Sequence, residues 1–367
     1  MPRSNRYLCF LILAFSLLPC TRQGAWAQEE GPRFRVDVKL VTLVATVKNK
    51  SGVPVTELEK EDFTVLASGV PQQIAIFERQ TDRPLSVILL FDSSPSVAKE
   101  LKFEQDAAVR FVRNLLGGGA HPQDRIAVYK FCDYVEEVQG FTASPERLER
   151  AIFSIRIQGG TSLYDALYMA AQKLERREGR KVIVVVTDGG DTTSRMKFAE
   201  ALETVQLADA VVYSIIVVPI TSDAGRNLGG ENALKTMSAS TGGLAFRQHS
   251  DADLDKAFRQ IERDLRVQYL LGFYPQGISA GPERFHRIEV LVNRPGFQVL
   301  ARTGYFSGPE GDRPSTHPTS VAIEPAPPRE KKKQEKVSPA GVPSRKIRSS
   351  VSTRLAPGVT PPQRSIH

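Results

Sequence analysis

The stretch Leu85–Ser96, LSVILLFDSSPS, runs seven apolar-rich residues into a carboxylate and then three hydroxyls. An uninterrupted apolar run of this length, rich in Val, Ile, Leu and Phe, is the pattern of a strand buried on both faces, as in a parallel sheet. The polar cluster at its end has two readings. Asp and Ser satisfy the free amides at a helix start. They are also oxygen donors, and could form half of a cation site.

Three more runs of the same kind follow: RIAVYKF (125–131), KVIVVVT (181–187) and AVVYSIIVV (210–218). Helix candidates lie between them near 97–116, 162–177 and 195–208. Leu254, Phe258, Ile261 and Leu265, spaced four, three and four, mark one face of a closing helix over about 251–266. Strands alternating with helices predict an α/β fold, a doubly wound and mostly parallel sheet covered on both faces.

Outside this block the period changes to two. Phe34, Val36, Val38 and Leu40 alternate with polar residues, and Val41, Leu43, Ala45 and Val47 continue in the opposite phase, which predicts a bulge or break. Phe63/Val65 and Ile74/Ile76 add short strands. After the closing helix, VQYLLGFYP (267–275), Ile288/Val290/Val292 and Phe297/Val299 alternate again, with NRPG (293–296) read as a hairpin turn. Each flank is thin as an independent core. The economical expectation is one β-sandwich made from both, with the α/β block inserted. Two separate small β-units are the alternative.

The ends read differently. Arg3 and Arg6 precede the apolar run Tyr7–Leu18, and Ala25-Trp26-Ala27 supplies small residues at cleavage spacing, so 1–27 reads as a secretory signal peptide. The run is too short for a bilayer span, which takes about 20 residues. Cys20 would suit a lipoprotein, but Pro19 stands where a small residue is needed. Residues 307–367 hold 11 of the 24 prolines and no aromatic residue, a composition that predicts disorder. The net charge of +8 belongs to this tail and the signal segment. The tail could contact anionic envelope polymers, or be a solvated linker; with no aromatic interleaving it does not suggest specific nucleic-acid binding. The expected organisation is 1–27 signal, 28–83 N-terminal β region, 84–266 α/β domain, 267–306 C-terminal β hairpin region pairing with 28–83, and 307–367 tail. The mature chain, extracytoplasmic and without a membrane span, keeps Cys132 alone, read as a small buried hydrophobe.

In an open α/β sheet, ligands bind at the carboxyl ends of the strands. Three loops meet that description: Asp92-Ser93-Ser94-Pro95-Ser96, Gly159-Gly160-Thr161, and Asp188 in TDGGDTTS (187–194). Together they offer Asp92, Ser94, Ser96, Thr161 and Asp188. All are oxygen donors, with no His and no Cys, which suits a hard dication: magnesium, with manganese or calcium as alternatives. Each piece alone is weak, since D-x-S-x-S is more often a helix cap and Asp-Gly after a strand is usually a turn. It is their joint order that points to a cation.

With D-x-S-x-S at 92–96, the Thr of GGTSLYDAL at 161 and the Asp of VVVTDGG at 188, the segment from about 84 to 266 resembles the von Willebrand factor type A domain, shared with integrin inserted domains. Pro95 departs from the Gly common in such loops. The flanks, VTELEKEDFTVL before and VQYLLGFYP after, look like those of secreted bacterial proteins carrying a related domain. The resemblance implies a metal-ion-dependent adhesion site: a cation held by these five residues, whose open position takes an Asp or Glu of a protein partner. The alternatives are a structural scaffold of an envelope complex and a magnesium-dependent hydrolase. No His lies in the site loops and no nucleophile–base pairing is evident, so an enzyme is not expected. Asp165 reads as solvated or salt-bridged, and Asp191 as a loop residue.

Overall fold

The computed structural model describes residues 40–79, 83–218, 227–278 and 284–307. The signal segment, the alternation at 34–38 with its phase change, and the tail beyond 307 lie outside the described residues.

The apolar runs form a six-stranded sheet. It comprises β5 (Leu85–Asp92), β6 (Arg125–Phe131), β7 (Val135–Thr142), β8 (Arg180–Thr187), β9 (Ala210–Val217) and β10 (Ala245–Gln248), in the order β10-β9-β8-β5-β6-β7. All neighbours are parallel except β6 and β7. Every residue of β5 and β9 is buried. The period of two persists inside these runs, but both faces are apolar. Val87, Leu89 and Phe91 pack toward α1 (Leu101–Leu115), α2 (Pro145–Ser154) and α6 (Asp251–Arg266). Ile88 and Leu90 pack toward α3 (Leu163–Glu175), α4 (Phe198–Leu207) and α5 (Leu228–Thr241). Each fully buried Val, Leu or Phe contributes about 1.5–3 kcal/mol.

Within this α/β block two helices and two strands escape the sequence reading: α2, α5, β7 and β10. The first helix starts at Leu101, four residues later than its apolar pattern suggests, because Pro95–Val97 forms a separate 3-10 turn.

The flanking β-segments form two four-stranded sheets. One has the order β13-β1-β11-β4, built from β1 (Val41–Asn49), β4 (Ile74–Arg79), β11 (Tyr269–Phe273) and β13 (Phe297–Ala301). The other has the order β14-β12-β2-β3, built from β2 (Phe63–Ala67), β3 (Val70–Gln72), β12 (Phe285–Val292) and β14 (Gly304–Phe306). Each sheet mixes strands from before and after the α/β block, and the two enclose one core around Leu43, Val65, Tyr269, Phe273 and Ile288.

The NRPG turn is not a hairpin. β12 pairs with β2 and β14, whereas β13 pairs with β1 in the other sheet. The turn is tied down by Asp62: its carbonyl accepts from Asn293 N at 2.8 Å, and its carboxylate takes the Arg294 guanidinium at 2.8 and 2.9 Å. That anchor fixes the end of β12 beside β2 and sends the chain across the sandwich.

The sandwich and the α/β block are joined by polar contacts. Arg180, at the start of β8, donates to the carbonyls of Arg83 (3.2 Å) and Leu265, while its own amide donates to Pro84 O at 2.8 Å. One residue thus holds both places where the chain passes between the two parts. Deeper in, Lys48 of β1 meets Asp264 of α6 at 2.7 Å, with the side chains 6% and 0% exposed. Gln260 donates to the other Asp264 oxygen at 2.6 Å.

Candidate metal centre

β5 and β8 are adjacent, and the chain leaves them to opposite sides, β5 toward β6 and β8 toward β9. Their carboxyl ends therefore flank the point where the strand order reverses. Asp92 is the last residue of β5, and Asp188 directly follows β8.

Asp92 is fully buried. Its Oδ1 accepts from Ser94 N at 2.8 Å, which folds the loop back on itself. Its Oδ2 accepts from Thr187 Oγ1 at 2.6 Å, a bond between neighbouring strand ends. Ser94 and Ser96 hydroxyls lie 2.8 Å apart. Neither caps a helix: the 3-10 turn lacks a side-chain cap bond, and α1 is preceded by Glu100. The capping duty expected of these hydroxyls is absent, because the turn at Pro95 separates them from the helix.

Main-chain bonds lace the three loops together. Ser93 N and Oγ both donate to Phe131 O, at 2.9 and 3.0 Å. Gln158 N donates to Ser93 O at 2.7 Å. Thr161 O accepts from Thr192 N and Thr193 N, at 2.8 and 3.1 Å, and Thr161 N donates to Thr192 Oγ1 at 3.0 Å. Gly160 adopts φ +68°, and a Cβ there would lie 1.7 Å from Asp133 Oδ1, so the loop requires glycine.

Thr161 and Asp188 face a common space beside Gly190. A Cβ on Gly190 would sit 3.1 Å from Asp188 Oδ1 and 3.9 Å from Thr161 Oγ1. The Asp188 carboxylate also accepts from Gly190 N at 2.8 Å. Asp92 senses Asp188: burial chiefly, with Asp188's charge as a lesser cause, pushes the Asp92 pKa up to about 6, against opposing hydrogen bonds from Thr187 and Ser94. The structure thus puts Asp92, Ser94 and Ser96 in one loop and Thr161 and Asp188 around Gly190, at one rim of the sheet. Ser94 and Thr161 are buried and Ser96 is exposed. The donor set is all oxygen, with two carboxylates and three hydroxyls, which fits a hard dication. Among the described residues no group of three or more His, Cys, Asp or Glu is arranged to hold a metal directly. A cation here would therefore depend on the hydroxyls.

Residues 87–190 match the family described as von Willebrand factor type A domain. The chain carries a von Willebrand factor type A domain. The chain is also similar to inter-alpha-trypsin inhibitor heavy chain H4 of Sus scrofa, 25% identical over 182 residues, which is 46% of this chain and 19% of that protein. It thus spans about a fifth of that relative's length. Among solved structures it is similar to the vWF domain of the type V pili tip protein Mfa5 from Porphyromonas gingivalis, at 16% identity and TM-score 0.42, covering 50% of this chain and 95% of that one. A von Willebrand factor type A protein from Catenulispora acidiphila shows 11% identity and TM-score 0.42, over 74% of this chain and 75% of that one. Type A domains are common protein-interaction and adhesion modules.

Within this type A domain, several residues that shape the site escape the sequence reading. Thr187 holds Asp92, and accepts from Gly189 N at 3.1 Å. Asp165 is half-buried and does more than face solvent: its carboxylate takes the amides of Arg195 and Met196, at 3.0 and 2.8 Å, and pins the loop after β8. Asp191 accepts from Ser194 Oγ at 2.5 Å. Glu104 is buried behind the first loop. Only Glu104 leaves a signal in the sequence, an acid on the sheet-facing stripe of an amphipathic helix.

The type A domain also borders a cleft of about 570 Å³ at the opposite end of the sheet, lined by Arg83, Arg177, Arg180, Lys181, Asp209 and Arg302 among others. It has no share in the rim. Among the described residues no helix is long and apolar enough to cross a membrane.

Proposed function

We propose that this chain is an extracytoplasmic, cation-dependent protein-binding module. Asp92, Ser94, Ser96, Thr161 and Asp188 would hold magnesium, or manganese or calcium in its place. A bound dication would supply an electrophilic centre able to accept a carboxylate from an Asp or Glu of a protein partner. The observation that carries this reading is the pair of strand-end carboxylates set among hydroxyls at the switch point of the sheet. The chain's own part is to keep that rim rigid through its main-chain lacing and to bury one side of it, so that an incoming group meets the site from solvent only. Ser96 lies on the open side.

Export rests on the signal-like segment at 1–27, and the absence of catalysis on the lack of any His in the three loops. A hydrolase would need a base positioned against a substrate. Asp165 and Asp191, acids close in sequence to the site loops, are both committed to holding loops.

Calorimetric titration of MnCl2 and MgCl2 into the chain lacking residues 1–27 tests the reading, alongside Asp92→Ala and Asp188→Ala. We expect one saturable cation per chain for the parent and none for either variant. Heat-silent titrations of the parent at millimolar cation would refute it.

A further inference from the structure

α1 presents its buried side to the sheet through Leu101, Ala108, Phe111, Val112 and Leu115, and Glu104 stands in the same row. It lies in the helix's first turn, the end nearest the Asp92 loop. Only 1% of it is exposed, and neither carboxylate oxygen has a hydrogen-bond partner among the described residues. The next residue shows what satisfied burial looks like: Gln105 donates to Ile152 O and Ile155 O, at 2.9 and 3.2 Å. A buried carboxylate without partners costs free energy that a Leu or Met at the same position would not. Such a group calls for an explanation, commonly a water or ion.

The charges around it point to which. Burial and then the charges of Asp92, Glu100 and Asp188, all negative, hold its pKa well above the usual carboxylate range. Two of those three acids are the candidate cation ligands. Positive charge at the rim would relieve all of them together. Direct ligation is not the role, because the acids do not form a group able to hold one ion.

We infer that Glu104 is a sixth member of the cation site, a positioning residue that accepts a hydrogen bond from a water on the ion's inner side. This rests on the cation reading above and deepens it. The all-oxygen set would then carry three negative charges in all, two in contact and one behind a water. Carboxylates placed behind a metal's direct ligands typically change its affinity by about 10–100-fold.

The experiment is MnCl2 calorimetry and thermal melts, with and without cation, on the chain lacking residues 1–27. Parent, Glu104→Gln, Glu104→Leu and Asp188→Ala are compared. We expect Glu104→Gln and Glu104→Leu to melt at or above the parent without cation, yet to bind Mn2+ at least about tenfold more weakly, with a smaller Mn2+-induced rise in Tm. A purely structural Glu104 would shift both melts equally and leave affinity alone. Glu104→Gln binding within twofold of the parent, while Asp188→Ala loses binding, overturns this inference and leaves the cation reading standing. A parent that binds no cation overturns both. Failure of both Glu104 variants to fold without cation also overturns it, since the carboxylate would then be supporting the fold unaided.

Discussion

Asp92 carries the clearest consequence at the scale of single residues. Its carboxyl is fully buried and its pKa is pushed up to about 6, above the roughly 3.9 of an unfolded Asp. The folded state therefore binds the proton more tightly. The cost of holding the ionised form is fully present above the folded pKa, and fades as the pH falls through it. In cation-free buffer we expect stability to rise by about 1 kcal/mol between about pH 7.5 and pH 5. Asp92→Asn should lack that part of the rise, which chemical denaturation at several pH values will show. The five oxygen donors were legible as residue types because each sits in a short local pattern. Thr187, the donor to Asp92, was not, because its role exists only once β5 and β8 are neighbours. The loop-holding role of Asp165 was hidden for the same reason: its amide partners lie about thirty positions away.

Among elements, the buried parallel strands were the easiest to read, since burial on both faces leaves a continuous apolar run. The edges of the same sheet were not. β7 is only half-buried, with a mixed sequence, and β10 is four residues long. α5 begins Leu-Gly-Gly, which looks like a loop; Asn227 starts it by accepting from Gly230 N at 2.9 Å. The hairpin at 293–296 was expected from its turn residues. Turn residues fix a reversal but not the sheet that receives the next strand, and Asp62 makes that choice. The Gly159–Thr161 loop shows how tight a site element can be. Gly160→Ala should cost about 1–2 kcal/mol for the left-handed backbone alone, and further for the clash with Asp133. We expect a lower Tm and weaker Mn2+ binding. Adding Asp133→Ala should recover part of the loss by making room, and leave the backbone share.

Across the whole molecule, the sandwich and the α/β block meet through a buried charge pair. Burial holds the Asp264 carboxyl above the usual range, even though Lys48 and Gln260 both favour its ionised form. Such pairs are costly to break singly and close to neutral to replace together. Lys48→Met should destabilise by about 3–5 kcal/mol. Lys48→Met combined with Asp264→Leu should return to near the parent value; urea denaturation of the four proteins closes that cycle. The chain's two flanks looked like one sandwich by size alone, but nothing local revealed this pair, 216 positions apart in sequence.

The clamp at Arg180 has a mechanical side. One connection to the sandwich enters the amino end of β5 and the other leaves the end of α6, held by Arg180 at the start of β8, while the rim with Asp92 lies at the other end of β5, roughly 25 Å away along the strand. A ligand tugging on that rim against an anchored sandwich would pull β5 along its own axis. Its bonds to β6 and β8 would then be strained side by side rather than unzipped one after another, so the central strand is where this molecule would resist tension.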